Sequence, residues 1–84
     1  MLTIAISRAA EKALKAMPRQ DAKSLMAKIR QVAAEPGKRF GFVKRLTGHT
    51  AFRIRHGQWR AICRRDGTVL DVIKVANRRE VYDR

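Results

Sequence analysis

The chain has 84 residues, of which 45% are hydrophobic and 32% are charged, and 20 lysines and arginines against 7 acidic residues give it a net charge of +13. This length predicts one domain over residues 1–84 with a modest core, because so short a chain buries only about 60–65% of its unfolded surface. No apolar run approaches the roughly 20 residues of a membrane span, and residues 1–6 are too short for a secretory signal, which favours the cytoplasm.

The positive charge bears on binding partners rather than on the fold. Nucleic acid is the leading candidate, and such binding should weaken steeply as the salt concentration rises. An acidic protein partner is also expected, because so much positive charge is otherwise not neutralised. A membrane surface is disfavoured, since no segment combines a basic face with large exposed apolar residues.

The first half of the chain predicts a strand and two helices. Residues 2–6 form a short strand candidate, and Ser7 stands at the N-cap position of a helix over residues 8–17. Pro18 suits the first position of a second helix, which ends at the Glu-Pro-Gly segment 35–37. Apolar residues at helical spacing predict the buried stripe of that helix: Ala22, Leu25, Met26, Ile29, Val32 and Ala33.

The second half predicts three strands joined by two tight turns. Residues 52–55 alternate apolar and basic side chains, as a half-buried strand does. A His-Gly pair at 56–57 predicts a turn into residues 58–65, and an Asp-Gly pair at 66–67 predicts another. The segment 68–76 is rich in β-branched side chains and completes the set.

Two-residue loops would place Arg53 opposite Arg60, Ile54 opposite Trp59 and Cys63 opposite Leu70. Because side chains alternate between the two sides of a sheet, the strands then have a core face and a basic face. The core face holds Phe52, Ile54, Trp59, Ala61, Cys63, Leu70 and Val72, with Lys74 out of place on it. The basic face holds Arg53, Arg55, Arg60, Ile62, Arg64, Asp71, Ile73 and Val75. Several arginines on one face indicate a site for a polyanion.

The predicted element order is β-α-α-β-β-β. It corresponds to a helical hairpin packed on one face of a small antiparallel sheet, which is an α+β fold. Cys63 is the one cysteine and is expected to be an inert core side chain. No cysteines and histidines have zinc-ligand spacing, so the sequence predicts no metal site and no cofactor.

Three segments carry a resemblance to a known family: R-I-R-H-G-Q-W-R at 53–60, the strand at 69–75, and A-N-R-R-E-V-Y at 76–82. Together with the helical hairpin and the length, they resemble the RelE/ParE superfamily of bacterial toxins. The R-R-E-V-Y ending is more similar to the RelE branch, which comprises ribosome-dependent mRNA endonucleases, each paired with an antitoxin. ParE-like members instead inhibit DNA gyrase and lack the catalytic set.

The resemblance implies a metal-independent endoribonuclease that cuts mRNA in the ribosomal A site, with the ribosome, mRNA and an antitoxin as partners. The mRNA 2′-hydroxyl attacks the adjacent phosphate, and arginine forks suit the charge that develops there. The catalytic residues carried over from the family are Arg53, Arg55, Arg60, Arg78, Arg79 and Tyr82. The residues assigned to RNA binding are Lys44, Arg45 and Arg64.

The chain departs from the family at two places. Many relatives carry lysines where Arg53 and Arg55 stand, and a His or Lys where Asn77 stands. Arginine stays protonated and cannot act as a general base. Tyr82 is therefore the first candidate base, because nearby arginines favour the phenolate. Three further groups are in reserve as the base: Glu80, Asp83 and His56.

Two other functions stay open at this point. One is a toxin that blocks a protein target such as gyrase without catalysis, and the other is a basic RNA-binding module without catalytic activity. The position of Tyr82 behind Arg78 and Arg79 favours the enzyme.

Overall fold

A computed structural model describes residues 1–46 and 50–79, which fold into two helices and a five-stranded sheet. The elements in chain order are β1 (Thr3–Ile6), α1 (Arg8–Ala16), α2 (Arg19–Ala34), β2 (Val43–Arg45), β3 (Ala51–His56), β4 (Trp59–Asp66) and β5 (Val69–Asn77). The strand order in the sheet is β1-β5-β4-β3-β2. The predicted α+β fold is confirmed. Neither α1 nor α2 is long and apolar enough to cross a membrane.

The sheet differs from the predicted one in two respects. The short strand β2 lies within the segment predicted as a connector, and it pairs antiparallel with β3. The first strand joins the opposite edge, where β1 runs parallel to β5. The sheet is therefore mixed rather than purely antiparallel, because the chain crosses the sheet through the helical hairpin before β5 returns beside β1.

The two helices begin and end where local chemistry dictates. Ser7 is the N-cap of α1 as predicted, and its Oγ accepts a hydrogen bond from the Ala10 amide at 3.0 Å. The helix ends because Met17 is extended, as a residue before proline usually is. Pro18 is the N-cap of α2 rather than its first helical residue, so the predicted start was one residue early.

The core lies between the helical hairpin and one face of the sheet. The stripe predicted on α2 faces it, with Leu25 and Ile29 fully buried and Met26 partly buried against the cluster. The sheet contributes Ile54, Ala61, Cys63, Leu70 and Val72, all of which belong to the predicted core face. Removing such side chains from water is the main stabilising contribution in a domain of this size.

Burial makes Cys63 chemically inert, because it raises the pKa of its thiol to about 12. An unfolded thiol has a pKa of about 8.5, so the folded chain holds its proton over a pH range in which the unfolded chain loses it. The free energy of unfolding should therefore decrease as the pH rises above about 8.5.

We expect iodoacetamide at pH 8 to leave Cys63 of the native protein unmodified and to alkylate it in guanidinium, as measured by mass spectrometry. Complete alkylation of the folded chain would contradict the buried position.

Both hairpins are shifted by two residues from the predicted register. In the structure Arg55 is opposite Arg60 and Ile54 is opposite Ala61, so the predicted pairs Arg53–Arg60 and Ile54–Trp59 are wrong. The turn consists of Gly57 and Gln58, and Gly57 is its first central residue with a φ of 56°. Because the slip is an even number of residues, each side chain of β3 and β4 stays on its predicted face.

The second hairpin turns at Gly67 and Thr68, with a φ of 61° at Gly67, and Cys63 is opposite Val72 rather than Leu70. A bulge then breaks the register: Ile62 is opposite Lys74, which leaves Ile73 as the extra residue of β5.

The bulge corrects the two strand positions that did not fit the predicted pattern. After the extra residue the two faces of β5 exchange, so Lys74 is exposed and Val75 is buried in the core. The predictions of Lys74 on the core face and Val75 on the basic face were wrong for this reason. The Ser7 hydroxyl donates to the carbonyl of Ile73 at 2.6 Å, and the Ser7 amide donates to the carbonyl of Val72 at 2.9 Å. One residue thus caps α1 and stabilises the bulge.

Candidate functional site

The face of the sheet opposite the helices carries a cluster of basic residues from three adjacent strands. We call it the arginine face, and it comprises Lys44 of β2, Arg53 and Arg55 of β3, and Arg60 and Arg64 of β4. Each alternates with a residue that faces the helices, such as Val43, Ile54 and Ala61. Asp71 of β5 is opposite Arg64 and places one carboxylate at the border of the face. Five of the nine predicted site residues therefore share one surface.

Arg60 differs from its neighbours because it is only 6% exposed. Its Nη1 donates to the carbonyl of Gly57 at 2.7 Å and to the carbonyl of Trp59 at 3.0 Å. Its Nε is buried and has no hydrogen-bond partner among the residues that the structure describes. A buried, charged donor without an acceptor is costly, so this guanidinium is suited to receive an anion.

The direct opposition of Arg55 and Arg60 brings two like charges together across the β3–β4 pair. Arg55 is exposed, and water screens its charge. The Arg60 guanidinium is held by the backbone carbonyls of its own turn. Arg53 is half-buried and lies opposite Ile62 on the same face. The cluster is therefore tolerated because its members occupy different environments.

The basic segment after β5 begins beside the turn that Arg60 binds. The amide of Arg78 donates to the carbonyl of Gln58, and the amide of Arg79 donates to Oδ1 of Asn77 at 3.2 Å. Both arginine side chains are exposed. The Gly57–Gln58 turn thus contacts Arg60 on one side and the start of the tail on the other. Tyr82, Glu80 and Asp83 lie outside the described residues, so their assigned roles stay predictions.

Arg45 does not share a surface with the other predicted RNA-binding residues. It is opposite Phe52 in the β2–β3 pair, and this register places it on the helix side of the sheet, at its edge. The cause is strand alternation, since its neighbour Lys44 takes the arginine face. The sequence pattern did not separate the two because the connector gave no prediction of a strand.

His56 lies on the helix side of the sheet and packs against α2. Its Nε2 is 3.4 Å from Oδ1 of Asp21, and its Nδ1 is 3.4 Å from Nζ of Lys28. The indole Nε1 of Trp59 donates to Oδ2 of Asp21 at 3.3 Å. Lys28 also donates to the carbonyl of Arg55 at 3.1 Å. As a reserve base, His56 is therefore on the wrong side of the sheet, and its contacts fasten the hairpin to α2.

Asp21 and Lys28 are the residues that sequence reasoning missed. Asp21 stands in the first turn of α2, where an acid is already explained by the helix dipole. The sequence pattern predicts that Lys28 lies on the solvent-exposed face of the same helix. Only the packing of α2 across β3 shows that both position the strands that carry the arginines.

Comparisons with known proteins find similarity over nearly the whole chain. The family model that describes the ParE toxin of type II toxin–antitoxin systems, parDE, matches residues 4–82. The RelB–RelE antitoxin–toxin complex from Methanococcus jannaschii contains a chain that is 22% identical, with a TM-score of 0.77 and coverage of 99% of this chain and 96% of that one. The archaeal RelE–RelB complex from Pyrococcus horikoshii gives 24% identity and a TM-score of 0.78, with 92% and 94% coverage.

The intact RelBE toxin–antitoxin complex of E. coli is similar at 18% identity, with a TM-score of 0.78 and coverage of 92% of this chain and 96% of that chain. At these identities the likeness of the structures shows a shared fold. None of the curated protein sequences matches the chain.

Proposed function

Because the chain belongs to the RelE/ParE superfamily of toxins of type II toxin–antitoxin systems, we propose that it is a cytoplasmic endoribonuclease. Its proposed reaction is the cleavage of mRNA in the ribosomal A site. The observation that supports this proposal is the arginine face, on which Arg53, Arg55 and Arg60 lie together. The backbone hydrogen bond from Arg78 to Gln58 brings Arg78 to the same end of the sheet as Arg55 and Arg60.

The proposed reaction needs stabilisation of charge more than any other contribution. The 2′-hydroxyl of one nucleotide forms a bond to the adjacent phosphorus while the bond to the 5′-oxygen breaks, which yields a cyclic phosphate and a free 5′-hydroxyl. The pentacoordinate centre between these states carries extra negative charge on its equatorial oxygens. Arginine forks complement such oxygens bidentately, and one well-placed donor contributes about 3–4 kcal/mol to the transition state.

Arg60 is the residue best prepared for this task. It is already desolvated, its guanidinium is oriented by two carbonyls, and its buried Nε has no hydrogen-bond partner among the described residues. Arg55 is exposed directly opposite and would meet the RNA backbone from the solvent side. Arg53 and Arg64 extend the positive surface along the strands, and we assign them to binding and charge neutralisation.

The proton leaving the 2′-hydroxyl needs an acceptor that arginine cannot provide. Among the described residues on this side of the sheet, the carboxylates are Asp71, which is opposite Arg64, and Asp66 at the end of β4. We therefore keep Tyr82 as the proposed base, because the tail that carries it begins with Arg78 at the Gly57–Gln58 turn.

A second candidate function is inhibition of DNA gyrase without catalysis. The matching family model is that of the ParE toxin, and this observation favours it. A cluster of arginines would then contact an acidic surface or DNA rather than a scissile phosphate. In that case the buried Nε of Arg60 has no assigned ligand.

One experiment separates the two candidates. The wild type and the Tyr82→Phe and Arg55→Ala variants are expressed in bacteria, and the 5′ ends of cellular mRNA are mapped. We expect codon-phased cuts in translated regions for the wild type, and at least about a 100-fold loss of cuts for Tyr82→Phe, the range typical of general base removal. Arg8→Ala, which removes an exposed arginine of α1, is the charge-matched control and should cut normally. Intact mRNA together with altered DNA supercoiling would instead establish the gyrase function.

A further inference from the structure

A second basic feature lies on the opposite side of the sheet from the arginine face, at the β2 edge. A cleft of about 880 Å³ opens between the segment after α2 and the strands β2, β3 and β4. Its size falls within the range of binding sites for small ligands and peptide side chains. We call it the basic cleft, and define it by four cations at the rim, Lys38, Arg39, Arg45 and Arg65, and by four apolar floor residues, Val32, Phe40, Val43 and Phe52.

The rim of the basic cleft has a strong excess of positive charge. All four rim side chains are exposed, and no acidic residue is among the described residues that line the cleft. Glu35, just outside it, pairs with Lys38 at 3.6 Å, and both side chains are about 60% exposed. An exposed pair of this kind contributes little, so the rim stays cationic. The ligand that fits it is an anion.

The floor of the cleft indicates what kind of anion fits. Val32 is buried, and Phe40, Val43 and Phe52 are partly buried against the core, so the cleft has an apolar base. Phe40 stacks on Phe42 with ring centroids 5.0 Å apart, and Nζ of Lys38 is 5.4 Å from the centre of the same ring. These contacts occupy the ring surface that a nucleotide base would need for stacking. Apolar side chains can still fill the space beside it.

We propose that the basic cleft binds an acidic peptide segment of a partner protein, one that presents a large apolar side chain between its carboxylates. Carboxylates meet the rim cations, and the apolar side chain covers the floor residues. In the toxin–antitoxin pairing, the antitoxin is the protein that would supply the segment, and in this respect the inference rests on the proposed function. The segment binds on the other side of the sheet from the arginine face, so its docking does not depend on nuclease activity.

Two double variants with the same change in charge, one in the basic cleft and one on the arginine face, provide a matched test of the charge requirement. The probe is a short fluorescein-labelled peptide of alternating glutamate and leucine, with binding measured by fluorescence anisotropy on the full chain. The cleft variant is Arg39→Glu with Arg65→Glu, and the control is Lys44→Glu with Arg64→Glu on the arginine face. Both pairs change the net charge equally and alter exposed side chains. We expect the cleft pair to weaken binding at least about tenfold and the control pair less than about twofold, at a salt concentration where the Debye length is about 8 Å.

A neutral variant tests the same site without any change in charge. Gly41 lines the cleft, and a Cβ atom added there meets no atom within 4 Å. Gly41→Leu should therefore fold with an unchanged melting temperature, fill part of the cleft and weaken the peptide at least about tenfold. A peptide with serine in place of leucine, and one with glutamine in place of glutamate, should both bind less tightly than the parent.

The remaining outcomes decide against the inference or separate it from the nuclease proposal. Equal peptide binding by the wild type, Gly41→Leu and the cleft pair, all with normal melting, would overturn it. If the cleft double variant no longer binds single-stranded oligouridine but still binds the peptide, the cleft is a nucleic-acid site, and this result would also overturn the inference. Peptide binding lost only from the cleft variants supports it, even if the wild type cleaves no mRNA, because that failure concerns the arginine face alone.

Discussion

Arg60→Ala is expected to lower the rate of mRNA cleavage about 10²–10³-fold, the largest effect of any single change on the arginine face. The reason is that Arg60 combines burial, orientation by the Gly57 and Trp59 carbonyls, and a buried Nε with no partner among the described residues. No other described arginine of the face has all three properties. The rate is measured on a defined transcript in a translating extract, with purified variant protein.

The same change will also affect the fold, and the two effects have to be separated. Removing the guanidinium leaves two carbonyl groups without their donor, which costs about 1–3 kcal/mol of stability. Circular dichroism then sets a temperature at which the variant is folded, and the rates are compared there. Arg60→Lys is the informative control, because an ammonium keeps the charge but cannot present a planar fork to carbonyls and phosphate together. Full cleavage by folded Arg60→Ala protein would remove Arg60 from the proposed mechanism.

Ile54→Ala is expected to produce the largest loss of stability, about 2–5 kcal/mol. Ile54 is fully buried in the middle of β3, between Val43 of β2 and Ala61 of β4, and it belongs to the cluster that includes Leu25 and Ile29 of α2. Such a loss is a large fraction of the 5–15 kcal/mol that stabilises a typical domain. Urea unfolding followed by circular dichroism measures it as a shift of the midpoint at constant slope.

The control for this prediction is the same truncation on the other face of the sheet. Ile62 is on the adjacent strand β4, but it is opposite Arg53 and only partly buried. Ile62→Ala should therefore destabilise the protein by clearly less than Ile54→Ala. Equal losses for the two variants would show that the two faces of the sheet have been assigned incorrectly.

The two faces of β3 and β4 could be predicted from the sequence, whereas their pairing could not. Alternation in residues 52–55 separates the arginines from the core residues, and a slip of the pairing by two residues leaves this separation unchanged. The register depends on whether Gly57 ends or begins the two-residue loop between β3 and β4. A His-Gly turn and a Gly-Gln turn fit the same letters, and both place a positive φ at Gly57, so only the pairing of His56 with Trp59 in the structure decides between them.

The bulge at Ile73 has a signal in the sequence. Lys74 on the core face was an inconsistency, and one extra residue in β5 removes it by exchanging the faces beyond that point. Arg45 had no comparable signal, because β2 has only three residues and shows no alternation. The contact of Asp21 with Trp59 joins residues 38 positions apart, and no local pattern reports on such a pair.

The hydrogen bond from Ser7 to Ile73 spans 66 positions of the chain, and it has a consequence for unfinished polypeptides. Among the described strands β1 pairs with β5 alone, so a product that stops before Val69 offers β1 no edge to join. Contacts between such distant positions also slow folding, because the long loop between them has to be closed before they form. Prematurely terminated products should therefore remain unstructured substrates for proteases, and a cell that fails to complete this polypeptide should not be poisoned by it.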